Sequence, residues 1–128
     1  MSLFQLGDFK LASGTTSPWK IECDAFTPED WKALARMAFD LLPPFSRVEG
    51  VPRGGLPFAE ALREYCSPLS DRLLIAEDVV TTGNSIERFR DGREAMGVTV
   101  FVRGNLLPSW VVPLFTMTLP LSYLARKE

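Results

Sequence analysis

Two short apolar runs constrain the fold more than any other feature: Leu73-Leu74-Ile75-Ala76, and Val98 to Val102. Neither alternates apolar with polar residues, as a strand with one wet face does. Such runs are expected of strands buried on both faces, and strands of that kind belong to parallel sheets covered by helices. The segments around them agree. Thr27 is suited to cap a helix, Pro28 to occupy its first position and Asp30 to reach back to the cap. Trp31, Leu34, Ala35, Ala38, Leu41 and Leu42 then fall on one face, and Pro43-Pro44 ends the run. Val48 to Val51 reads as a strand ending in Pro52-Arg53-Gly54-Gly55. Phe58 to Tyr65 reads as a short helix, Arg72 to Ala76 as a strand and Glu77 to Asn84 as a polar turn. Ser85 to Met96 reads as a helix closed by Gly97, and Trp110 to Leu119 as one or two more strands. Residues 1–26 are expected to form a β-rich lead-in with a turn at Ser13 to Pro18 and a short strand from Trp19 to Cys23. The alternation of strand and helix predicts an α/β fold with a mostly parallel central sheet flanked by helices.

The chain has 128 residues, and at roughly 150 residues per domain that is a single domain spanning 1–128. Fourteen Lys and Arg against sixteen Asp and Glu leave a net charge of −2, which argues against a nucleic-acid partner. The stretch from Leu106 to Leu121 is broken by Pro108, Pro113 and Pro120 and argues against a membrane span. Two cysteines, Cys23 and Cys66, do not make a disulfide scaffold and point to a reduced, cytoplasmic setting. There is no histidine. Triads and metal sites built on imidazole are therefore excluded, and any acid, base or metal ligand must be a carboxylate, lysine, tyrosine, cysteine, a hydroxyl or the backbone.

The run Leu73 to Ser85 concentrates such groups. A buried strand ends in Glu77 and Asp78, and Val79-Val80 lead to Thr81-Thr82-Gly83-Asn84-Ser85. Loop amides and the hydroxyls of Thr81, Thr82 and Ser85 can donate to a phosphate, and Gly83 admits a close backbone approach. Glu77 and Asp78 can accept from vicinal sugar hydroxyls or hold magnesium through oxygen.

This run resembles the phosphoribosyl-pyrophosphate (PRPP) signature of type I phosphoribosyltransferases. Val48-Glu49-Gly50-Val51-Pro52-Arg53-Gly54-Gly55-Leu56-Pro57 resembles the pyrophosphate loop of that family, and Phe9 to Ile21, with Ser13-Gly14, resembles the N-terminal stretch of its orotate branch. Threonine at position 81, where purine-type members carry aspartate, agrees with the orotate type. The resemblance implies a compact form of that α/β fold. It assigns Glu77 and Asp78 to the ribose and to Mg2+ as the catalytic pair. Thr81, Thr82, Gly83, Asn84 and Ser85 fall to the 5′-phosphate, and Val51, Pro52, Arg53, Gly54 and Gly55 to the diphosphate. Arg103 and Lys20 fall to the base; Lys10 and Lys20 flank Ala12, where some orotate enzymes have lysine. The implied activity is phosphoribosyl transfer between PRPP and a nucleobase, orotate or a related pyrimidine, by a homodimer. The apolar residues Trp110, Val111, Val112, Leu114, Phe115, Met117 and Leu119 would supply surface for the dimer.

One departure stands out. The family's basic mobile loop lies between its pyrophosphate-loop helix and the PRPP strand. Here only Leu56 to Asp71 fills that interval, with Arg63 and Arg72 as the basic residues in or beside it. The lid and at least one strand are expected to be missing. This keeps a second class open: a catalytically weak or inactive regulatory module that binds PRPP or a nucleotide. A third, a structural domain reusing the scaffold, leaves the three ligand-type segments unexplained.

Overall fold

A computed structural model describes residues 1–11, 14 and 16–117. Strands β1 (Phe4–Lys10) and β2 (Thr16–Ile21) form an antiparallel hairpin. Helix α1 (Pro28–Leu41) follows a 3-10 turn at Cys23–Ala25. Then come β3 (Arg47–Gly50), α2 (Leu56–Leu62), β4 (Leu73–Val80), α3 (Asn84–Arg90), β5 (Met96–Arg103) and β6 (Val111–Met117). The last four strands make one sheet in the order β3-β4-β5-β6, every pairing parallel.

The sheet is buried on both sides, as its apolar strands require. On one face Trp31, Leu34, Ala35 and Ala38 of α1 and Phe58, Ala59 and Leu62 of α2 pack on Val48, Leu74, Ala76, Val98 and Val100. On the other, Ile86 of α3 meets Leu73, Ile75, Val80 and Val111, with Leu107 and Trp110 from the β5–β6 connection beside them. That connection, residues 104–110, covers sheet where a helix usually would. All three connections step the same way across the sheet. Two cross on the α3 face and one, through α2, crosses on the other. The α2 crossover therefore has the opposite hand to the other two, a departure from the uniform handedness of parallel crossovers. It occurs in the interval Leu56 to Asp71, where this chain is expected to lack the lid and a strand.

Helix α1 starts as its sequence signals dictate. The Thr27 hydroxyl accepts from the Asp30 amide at 3.1 Å, and the Asp30 carboxylate accepts from the Thr27 amide at 2.8 Å.

Several expected elements shift. Cys23 lies in the 3-10 turn rather than in a strand. Val51 follows β3, and α2 begins at Leu56 and passes into a 3-10 turn at Arg63–Tyr65. The expected polar turn at Glu77 is still strand, because Val79 and Val80 are apolar and each finds a core face. Helix α3 ends at Arg90, well short of Met96, because Asp91 and Gly92 adopt positive φ. Met96 and Gly97 belong to β5, where Trp110 packs over Gly97. Of the segment Trp110 to Leu119, one strand is seen, and Leu119 lies outside the described residues, as do Ala12, Ser13 and Thr15 of the N-terminal stretch. No helix among the described residues is long and apolar enough to cross a membrane.

Candidate functional site

The carboxyl ends of β3, β4 and β5 bring together three of the segments singled out above. Leu74 and Ala76 face α1 and α2, while Leu73 and Ile75 face α3. Beyond them the alternation slips by one residue: Val79 packs on the α1 face and Val80 on the α3 face. The slip falls at Glu77 and Asp78. Pairing with β5 runs from Leu74 opposite Met96 to Val80 opposite Val102 but omits Asp78. The backbone amides there turn to the carboxyl groups instead. Asp78 N–H donates to Glu77 Oε1 at 3.0 Å, and Val79 N–H donates to Asp78 Oδ1 at 2.8 Å. The buried Thr99 hydroxyl, from the neighbouring strand, lies 3.2 Å from the Asp78 carbonyl.

Glu77 is buried, with only 6% of its surface exposed. That burial, followed by the hydrogen bond and negative charge of Asp78, pushes its carboxyl up to about 9. Neither acid is ion-paired with Arg or Lys among the described residues. Arg53, expected at the diphosphate, is exposed and pairs with neither. What meets Asp78 is backbone. A methyl group on Gly54 would collide with the Asp78 carboxylate, so glycine is what lets the β3–α2 loop lie against it. In that loop Val51 N–H donates to the Ala76 carbonyl at 2.9 Å, and the Pro52–Arg53 peptide is cis. Cys23 is a free thiol in the same core, and burial together with the negative charge of Asp78 pushes it far above its ordinary range.

On the α3 side, Glu77, Thr81, Thr82, Gly83 and Ser85 line a small cleft with Val79, Val80 and Ile86. Gly83 has φ of +86°, a left-handed conformation suited to glycine. Its open face is covered by Pro108, which would sit 2.7 Å from an added methyl. Pro108, on the β5–β6 connection, reads in the sequence only as a break in an apolar stretch. Only the return path of that chain places it.

The two residues expected at a base separate. Arg103, the last residue of β5, stacks on Trp19, its guanidinium carbon 3.4 Å from the ring centroid, and donates to the Ser17 hydroxyl. Lys20 follows Trp19 on the strand and so points to the opposite face. There it pairs with Glu22 at 2.8 Å and lies 4.9 Å from the Phe9 ring. The structure does not bring Lys20 to Arg103.

The fold recurs in solved structures. Leishmania donovani UMP synthase matches 90% of the chain with TM-score 0.69 and 22% identity. Orotate phosphoribosyltransferase from Aeropyrum pernix matches 98% with TM-score 0.68 and 22% identity. The fold resembles that of these type I phosphoribosyltransferase structures. The Mycobacterium tuberculosis H37Rv orotate phosphoribosyltransferase, solved with inorganic phosphate, matches 87% with TM-score 0.61 and 19% identity. The chain covers 34% of the Leishmania protein, 92% of the Aeropyrum one and 86% of the Mycobacterium one. No protein-family model and no curated protein sequence matches the chain.

Proposed function

We propose that the chain transfers a phosphoribosyl group between PRPP and a nucleobase, orotate or a related pyrimidine. The observation that carries this is the contact of Asp78 with Gly54. It sets the acid pair of β4 directly against the Arg-Gly-Gly loop of β3, as a ligand joining ribose to diphosphate requires. Glu77 and Asp78 receive the ribose hydroxyls, the amides and hydroxyls of Thr81, Thr82, Gly83, Asn84 and Ser85 the 5′-phosphate, and Val51 to Gly55 the diphosphate. Arg103 faces the base. Attack at the anomeric carbon passes through an oxocarbenium-like transition state whose positive charge the two carboxyls face, and no covalent intermediate is needed. Lys20 would join the base site only by leaving Glu22.

The carboxyl pair fits magnesium only in part. Among the described residues no three acids, cysteines or histidines gather to hold an ion by themselves. Magnesium, however, commonly takes one or two carboxylates and completes its shell with water and substrate phosphates. Glu77 and Asp78 would hold it together with PRPP oxygens, and when bound it neutralises charge on the departing diphosphate. Its arrival would also favour the ionised form of Glu77.

A specific observation favours the second reading, a module that binds PRPP or a nucleotide without turnover. Both basic residues near the lid position are already engaged: Arg63 pairs with Glu60 at 2.9 Å, and Arg72 donates to the Pro44 carbonyl at 3.0 Å. Neither is aimed at a diphosphate. An assay of diphosphate release with PRPP, magnesium and a panel of bases separates the two. Release with any base is expected. Magnesium-dependent PRPP binding without release assigns the module. The double variant Glu77→Gln, Asp78→Asn is expected to lose PRPP binding while keeping its melting temperature. A double variant that unfolds, alongside a wild type that does not bind PRPP, would make the pair structural.

A further inference from the structure

Arg103 is held by two contacts from one hairpin strand, and no carboxylate among the described residues compensates its charge. Its guanidinium carbon lies 3.4 Å from the Trp19 ring centroid, and the group donates to Ser17 Oγ. Ser17 is itself fixed, donating to the Trp19 carbonyl at 2.6 Å and accepting from the Trp19 amide at 3.2 Å. Ser17 is 8% exposed. Stacking occupies the faces of a guanidinium and leaves its edge, with five N–H donors in one plane, for other partners. Ser17 uses one of them. No carboxylate pairs with Arg103 among the described residues. Burial already disfavours its charged form. A half-buried cation without a counter-ion is costly, and a bound anion relieves that cost.

We propose that Trp19 is a positioning residue that sets base specificity: stacked on Arg103 and linked to it through Ser17, it holds the guanidinium edge ready for a planar ring bearing a carboxylate, in preference to the same ring without one. Without the stack, the long arginine side chain regains its rotamers, and binding an anion must order it again. Trp19 thus acts through Arg103. This inference rests on the reading that Arg103 faces the base, and it concerns which base is chosen rather than whether transfer occurs.

The test is calorimetric titration of the full chain with orotate and with uracil, which lacks the carboxylate, with and without magnesium and PRPP. Trp19→Leu is expected to weaken orotate about tenfold while changing uracil less than about twofold, and Trp19→Phe, which can still stack, is expected to stay within about threefold of wild type. Should Trp19→Leu fail to fold by circular dichroism, Ser17→Ala carries the test, with a smaller loss confined to orotate. Equal loss for orotate and uracil, or no loss for orotate, overturns the proposal. So does a wild type that does not bind orotate. The proposed activity is judged separately by diphosphate release. A chain that binds orotate with this Trp19 dependence but releases no diphosphate keeps the specificity role and loses the enzymatic one. Release with an unchanged orotate preference in Trp19→Leu does the reverse.

Discussion

Glu77 is the residue whose environment most changes its chemistry. Its carboxyl is pushed up to about 9 from 4.5, so between those values the folded chain binds a proton that the unfolded chain has released. Stability from this group is complete below about pH 4.5, declines as pH rises, and is gone above about pH 9. Thermal melts from pH 5 to 9 are expected to show wild type losing stability relative to Glu77→Gln, whose amide does not titrate. Parallel curves for the two proteins would mean that Glu77 ionises normally. Gly54 is the second decisive residue. Gly54→Ala puts a methyl into the Asp78 carboxylate. Relieving it must move either the loop or the acid, at a cost of about 1–3 kcal/mol. Denaturant unfolding should register that loss, and PRPP affinity should fall further than stability, since the two halves of the site are pushed apart.

Among the elements, the β4–α3 turn carries the clearest test. Its backbone is set by Gly83, buttressed by Pro108 and tied at Asn84 N–H to the Thr82 hydroxyl at 3.3 Å. Thr82→Val and Ser85→Ala are expected to weaken phosphate-bearing ligands by about 1–3 kcal/mol for each charge-assisted hydrogen bond lost. Calorimetry with PRPP and with inorganic phosphate measures this, and unchanged affinities would remove the turn from the site. Helix α3 shows where local reasoning fell short. The pattern from Ser85 to Met96 was compatible with one longer helix, but Asp91 and Gly92 turn the chain so that Met96 and Gly97 can join the sheet.

For the whole molecule, the exposed apolar residues bear on association. Strand β6 lies at the edge of the sheet. Of the residues expected at a dimer surface, Val111 is 4% exposed and belongs to the chain's own core, and Leu114 and Met117 pack partly against the α1 face. Phe115 remains 41% exposed, and Phe4 and Leu6 of the hairpin are 54% and 89% exposed. Apolar side chains so open to water favour burial against a second surface. Sedimentation at micromolar concentration is expected to give a homodimer, and Phe115→Glu to shift it toward monomer. A monomeric wild type would show that the chain tolerates these residues in water.

What the sequence determined by itself is what neighbouring residues decide among themselves. The cap and face of α1, the buried strands around Ile75 and Val100, and the acid-then-hydroxyl order of Glu77 to Ser85 each depend on residues a few positions apart. Tertiary structure decided the rest, because it depends on what long-range packing brings near. Glu77 holds its proton because the strands and α3 exclude water around it. The carboxyl pair meets backbone amides because the strand alternation slips there. Lys20 is turned away from Arg103, and Trp19 toward it, by the side of the hairpin that docks on the sheet. Those contacts span separations such as the one from Ser17 to Arg103, across which local sequence patterns carry no signal about distance.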